Sequence, residues 1–64
     1  MEISMTQGEA NRKALDLAYT SATGKAWMRI DAFNRIVEVA DDCTGREGDW
    51  VLIATKANGL RVAA

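Results

Sequence analysis

The C-terminal part of the chain carries the pattern that most limits what it can fold into. Residues 50–55 form an unbroken run rich in β-branched and apolar side chains, and Asn58-Gly59 follows as a dipeptide typical of a tight turn. After this turn, Leu60 and Val62 resume an alternating pattern. The sequence therefore predicts a C-terminal β-hairpin, one face of which another element must cover.

A helix is predicted before this hairpin. Thr6 and Glu9 have capping-box spacing, in which the Thr6 hydroxyl accepts from the amide of Glu9 and the Glu9 carboxylate accepts from the amide of Thr6. The expected apolar face of the helix consists of Ala10, Ala14, Leu17, Ala18, Tyr19 and Ala22. We expect the helix to end at Gly24. A helix followed by a hairpin predicts a single α+β domain over residues 1–64.

Residues 25–43 admit two interpretations. A second helix over residues 31–42, which Asp31 can cap, is favoured by the helical spacing of Ile30, Phe33, Val37 and Ala40. The alternative is a strand pair that starts near Trp27 and turns near Phe33 and Asn34, which the β-branched side chains of the segment support. Spacing makes the helix the favoured interpretation.

Cys43 is the only cysteine, and the chain has no histidine. An intrachain disulfide is therefore excluded, and the commonest metal ligand and general base are both missing. We expect no cofactor, no metal and no catalytic residues. The single thiol is typical of a reducing cytoplasm, and since no basic leader and no long apolar run is present, we expect no export and no membrane contact.

Charge is distributed unevenly along the chain. The formal charge is +1 over residues 1–30, −4 over residues 31–49 and +2 over residues 50–64. The middle block does not match a calcium-binding EF-hand, because the third and fifth positions counted from Asp41 are Cys43 and Gly45. We interpret the block as a surface that binds cationic side chains of a partner. The candidate partner-binding residues are Glu38, Asp41, Asp42, Glu47 and Asp49.

In size, in its lack of catalytic residues and in this acidic stretch over residues 38–49, the chain resembles the small phage-borne anti-CRISPR proteins. The resemblance is one of type and transfers no binding residue. It implies a non-enzymatic inhibitor that binds a bacterial protein or ribonucleoprotein complex, namely a CRISPR effector, and blocks DNA recognition or nuclease recruitment. Such a protein would act in the host cytoplasm.

The alternative from another functional class is a small DNA-binding regulator of winged-helix type. The second helix would then enter the major groove, and the contacts to DNA would come from Lys25, Arg29, Lys56 and Arg61. A helix that carries Asp31, Glu38, Asp41 and Asp42 would face the phosphates with charge of the wrong sign. We therefore expect no direct binding to nucleic acid.

Overall fold

The computed structural model describes residues 4–61, which form one helix and one four-stranded sheet. The elements in chain order are α1 (Gln7–Thr20), β1 (Lys25–Ile30), β2 (Ile36–Ala40), β3 (Asp49–Thr55) and β4 (Gly59–Leu60). Neighbouring strands are antiparallel, and their order across the sheet is β2-β1-β3-β4. Because α1 packs on one face of this sheet, the predicted α+β class is confirmed.

The predicted capping box starts α1. The Thr6 hydroxyl accepts from the amide of Glu9 at 3.1 Å, and the amide of Thr6 donates to the Glu9 carboxylate at 3.1 Å. The helix ends at Thr20, four residues before the predicted stop at Gly24. Its last turn closes with a hydrogen bond of 2.8 Å from the amide of Ser21 to a main-chain carbonyl.

The helix meets the sheet through small side chains. Ala10, Ala14 and Ala18 are fully buried at helical spacing, as predicted. Tyr19, which the sequence placed on the same stripe, is 57% exposed, because it lies one position past Ala18 and therefore about 100° further around the helix axis. The other buried residues are Ala26, Ile36, Ile53 and Ala54. No large side chain is fully buried in residues 4–61, so this core is thin.

The predicted helix over residues 31–42 is wrong, and the strand pair is the correct alternative. The chain turns after β1 and returns as β2, with Asn34 in the left-handed region at φ 63°. Asp31 stabilises this turn, because its carboxylate accepts from the amides of Phe33 (2.9 Å) and Arg35 (2.8 Å). The carboxylate that was expected to cap a helix thus closes a hairpin.

The predicted C-terminal hairpin is confirmed as the pair β3 and β4, joined through the turn that contains Asn58. Val62 lies outside the described residues. A register shift between Ala26 and Trp27, which pair with Ala54 and Leu52, leaves Ile53 as an extra residue that forms a bulge in β3. This bulge explains why two consecutive residues of β3, Ile53 and Ala54, are both buried.

The connection between β2 and β3 has to pass over β1. Both strands run antiparallel to β1 and flank it, so they are parallel to each other, and the chain must return along the sheet between them. Residues 41–48 make this return, and we call them the crossover loop. Within residues 4–61, no helix has the length and apolar character that crossing a lipid bilayer requires.

Candidate acidic interface

The crossover loop lies on the sheet face opposite α1. Successive strand residues point to opposite faces, and Met28 packs into the core beneath α1. Arg29 therefore points to the other face, together with its cross-strand partners Glu38 on β2 and Trp50 on β3. We call this side the loop face. Its central row is Glu38, Arg29 and Trp50, taken across three strands.

Arg46 attaches the crossover loop to this row. Its guanidinium carbon lies 4.7 Å from the ring centroid of Trp50, and one of its nitrogens donates to Oε2 of Glu38. The other oxygen of Glu38 accepts from Nε of Arg29 at 3.2 Å. One arginine side chain thus joins the loop to both strands that it connects. Cation–π contact and ion pairing both contribute to this attachment.

These contacts hold Glu38 in its charged form. The hydrogen bond from Arg46 is the main cause that lowers the pKa of Glu38 below its ordinary value, and the bond from Arg29 lowers it further, while partial burial opposes them. Glu38 is therefore engaged within the chain by two guanidinium groups. Of the five candidate partner-binding residues, it is the one with its charge already compensated.

The other four candidates lie on the crossover loop or directly after it. They are Asp41, Asp42, Glu47 and Asp49, and we call them the acidic strip. Within residues 4–61, no ion pair engages any of these four carboxylates. Ala40, the residue directly before the strip, pairs with Trp27 of β1. Asp49, the last residue of the strip, pairs with Ile30, three residues further along β1. The strip therefore extends roughly 10 Å along the sheet.

Main-chain contacts fix both ends of the strip. The carbonyl of Asp41 accepts from the Thr23 hydroxyl at 2.7 Å, and the carbonyl of Glu47 accepts from Nε1 of Trp50 at 3.2 Å. The carboxylate of Asp42 accepts from the amide of Thr44 at 2.9 Å, and this hydrogen bond is the main cause that lowers the pKa of Asp42. Because the loop is attached to the sheet in this way, its carboxylates lose little conformational freedom when they bind a partner.

A glycine allows the loop to come close to the sheet. Gly48 has φ 121°, and a Cβ atom at this position would lie only 2.7 Å from Cδ of Arg29. A side chain at residue 48 would therefore push against the arginine that also holds Glu38. Glycine is thus favoured at this position both for its backbone angle and because any other residue would displace the Arg29 side chain.

The four cationic residues of the DNA-binding alternative do not lie together on one surface. Lys25 and Lys56 lie near one another beside the end of α1, whereas Arg29 is ion-paired on the loop face. Arg61 borders a separate groove beside β3. The second helix on which the winged-helix interpretation depends is a strand pair here.

Sequence reasoning missed the role of Arg46 and Trp50. In the sequence, Arg46 is only one of the two cations within the acidic block over residues 31–49, and Trp50 is only the first residue of the β-rich run, whereas in the structure Trp50 is half-buried on the loop face. The available signal was local: an arginine lies between Gly45 and Gly48, four residues before a tryptophan. That spacing allows the guanidinium to stack on the indole, but whether the contact forms depends on the fold.

No cluster of three or more histidine, cysteine or acidic side chains suited to a metal ion occurs in residues 4–61. Cys43 is half-buried in the crossover loop, and its thiol is free. Comparisons with protein-family models, with curated proteins and with solved structures find no match to this chain. What can be inferred about function therefore comes from the residues and their geometry.

Proposed function

We propose that this protein is a non-enzymatic inhibitor that binds a cationic surface of a bacterial nucleic-acid-handling complex through the acidic strip. The observation that carries the proposal is the arrangement of four carboxylates without an ion pair in residues 4–61, on a loop that is itself attached to the sheet. The resemblance to anti-CRISPR proteins makes a CRISPR effector complex the partner that we would test first. The compartment is the bacterial cytoplasm.

Electrostatics supports a cationic partner. The strip places four negative charges within the span of one loop, while Arg46, the cation nearest to them in sequence, is occupied by Glu38 and Trp50. Opposite potentials across an interface steer the encounter and select the partner. Protein surfaces that hold the phosphates of DNA or guide RNA are rich in lysine and arginine. A small acidic protein bound there would compete with the nucleic acid.

Glu38 has a different role in this proposal. Because both of its oxygens are engaged by Arg29 and Arg46, its function is to fix the loop that carries the strip. We therefore assign direct partner contact to Asp41, Asp42, Glu47 and Asp49, and a positioning role to Glu38.

The experiment measures the affinity of the purified protein for a panel of purified, guide-loaded CRISPR effector complexes. The decisive variant neutralises the strip with Asp41→Asn, Asp42→Asn, Glu47→Gln and Asp49→Asn. These amides keep the shape of the side chains, and the amide introduced at position 42 retains a carbonyl oxygen that can accept from the main-chain amide of Thr44. We expect the variant to bind about ten-fold more weakly or worse, since single exposed pairs contribute little but four act together.

Asp16→Asn is the matched control, because Asp16 is an exposed carboxylate on α1, away from the strip. It should bind as the wild type does. Binding should also weaken as salt is raised, and it should survive nuclease treatment of the partner if the contact is with protein. If every effector in the panel fails to bind the wild type, or if the neutralised strip binds with unchanged affinity, the proposal is wrong.

A further inference from the structure

The turn between β1 and β2 displays an aromatic side chain that lies outside the core. Phe33, the only phenylalanine of the chain, is 77% exposed, more than any other large apolar side chain in residues 4–61. The core, by contrast, contains no fully buried large side chain. An aromatic ring that would strengthen such a core is placed at the tip of a hairpin instead.

Contacts within the tip connect its residues to one another. The Asp31 carboxylate accepts from the amides of Phe33 and Arg35 and from Nε of Arg35 at 3.1 Å, and the amide of Asp31 donates to the carbonyl of Arg35 at 2.9 Å. The guanidinium of Arg35 lies 5.0 Å from the ring centroid of Phe33. Phe33 therefore projects from a pre-organised turn whose two charged residues compensate each other.

A groove that can receive such a ring lies on the side of β1 that faces away from β2. It has a volume of about 680 Å³ and runs between the first turns of α1 and the strands β3 and β4. Its apolar wall includes Met28, Leu60 and Val51, which is 41% exposed, and its polar rim includes Gln7 and Asn11. The volume is ample for a phenyl ring, and small-molecule or side-chain sites of this size are commonly apolar with a few polar groups.

We propose that Phe33 of one copy inserts into this groove of a second copy, so that the protein forms a reciprocal homodimer. The chain supplies both halves of the contact, and a two-fold arrangement uses each of them twice. The net charge of −1 gives two copies little mutual repulsion, and the hairpin tip adds no net charge of its own. A domain of 64 residues with a thin core is also one that a partner subunit commonly stabilises.

The test is the molar mass of the purified protein by sedimentation equilibrium, from about 1 μM to about 1 mM, together with its melting temperature at each concentration. We expect a monomer–dimer equilibrium and a melting temperature that rises with concentration. Phe33→Ala should raise the dimer dissociation constant by about ten-fold or more. Tyr19→Ala removes another exposed aromatic ring, from α1, and should leave the equilibrium unchanged.

A mixing experiment tests the reciprocal geometry. Val51→Lys places a charge in the groove and should weaken the dimer as Phe33→Ala does. A heterodimer of the two variants keeps one intact contact, between the Phe33 of one chain and the unaltered groove of the other, so the mixture should associate more strongly than either variant alone. A wild type that is monomeric throughout, a Phe33→Ala dimer as stable as the wild type, or a mixture that associates no better than its components would each overturn the proposal.

Discussion

The guanidinium carbon of Arg46 lies 4.7 Å from the ring centroid of Trp50. This contact joins the crossover loop to β3, and the ion pair of the same guanidinium with Glu38 joins the loop to β2. The connection between two strands is thereby fixed across the strand that separates them. The acidic strip begins and ends on either side of Arg46, so this side chain holds the middle of the loop to the sheet, while main-chain contacts at Asp41 and Glu47 hold its ends.

Removal of the Arg46 side chain should release the loop from the sheet. In a Trp27→Phe background, where Trp50 is the only indole, Arg46→Ala should increase the quenching of Trp50 fluorescence by acrylamide, because the ring loses the group that covers it. The lost cation–π contact should cost about 0.5–1 kcal/mol of unfolding free energy. Arg46→Lys keeps the charge without the planar stack, so its quenching should be intermediate. Quenching that is identical in all three proteins would contradict this attachment.

Stability should fall in acid. The pKa values of Glu9, Asp31, Glu38 and Asp42 are all lowered in the folded protein, for Glu38 mainly by the hydrogen bond from Arg46. A lowered folded pKa stabilises the fold fully above the unfolded pKa, about 3.9–4.3 for these residue types, and this stabilisation is lost as pH falls through the folded value. Urea unfolding from neutral pH to about pH 2 measures the effect.

Glu38→Gln provides the control for this pH dependence. The variant lacks the carboxylate that Arg29 and Arg46 hold, so it should be less stable than the wild type at neutral pH, and the difference should shrink as the wild-type carboxylate becomes protonated. Parallel stability curves for the two proteins over the whole acid range would show that the ion pairs of Glu38 do not contribute.

The N-cap of α1 should make a measurable contribution to stability. Thr6→Ala removes the hydroxyl that accepts from the amide of Glu9 and should cost about 1 kcal/mol. In a domain of this size, that corresponds to a fall of about 4–8 °C in the melting temperature. Lys13→Ala, at an exposed position within the same helix, should change it little. Equal effects of the two substitutions would show that the capping box does not stabilise the helix.

Two glycines of the crossover loop should respond differently to the same substitution. Gly48→Ala introduces a methyl group 2.7 Å from Cδ of Arg29, in addition to the strain of a positive φ. Gly45→Ala has the positive φ alone, at 74°, with open space around the new atom, and should cost about 1–2 kcal/mol. Gly48→Ala should therefore destabilise the protein more in chemical denaturation. The reverse order would mean that the loop does not approach Arg29 as described.

The sequence was most informative where local chemistry determines the structure. The capping box at Thr6 and the turn at Asn58 involve residues a few positions apart, and both elements form as predicted. Asp31 was misleading for a physical reason, because an aspartate carboxylate accepts main-chain amides equally well at a helix N-terminus and in a hairpin turn. The β-branched residues after it were the better guide, since they pack well in β2.

The candidate site depends on contacts that the sequence does not show. The acidic block was visible in the sequence, but the difference between Glu38 and the four residues of the strip arises from strand register. Glu38 lies beside Arg29 because β2 pairs with β1, and Arg46 reaches both Glu38 and Trp50 because the loop must cross β1. Such contacts between distant segments follow from sheet order, which local patterns do not determine.

Competition for target DNA is the most direct measurement of the proposed inhibition. A guide-loaded CRISPR effector that binds the protein is titrated with it, and the binding of labelled target DNA is followed by fluorescence anisotropy. The wild type and Asp16→Asn should reduce DNA binding in proportion to the fraction of effector that they occupy. The protein with the neutralised acidic strip should need a concentration at least about ten-fold higher for the same reduction. Equal inhibition by the neutralised and wild-type proteins would contradict the assignment of the strip as the inhibitory surface.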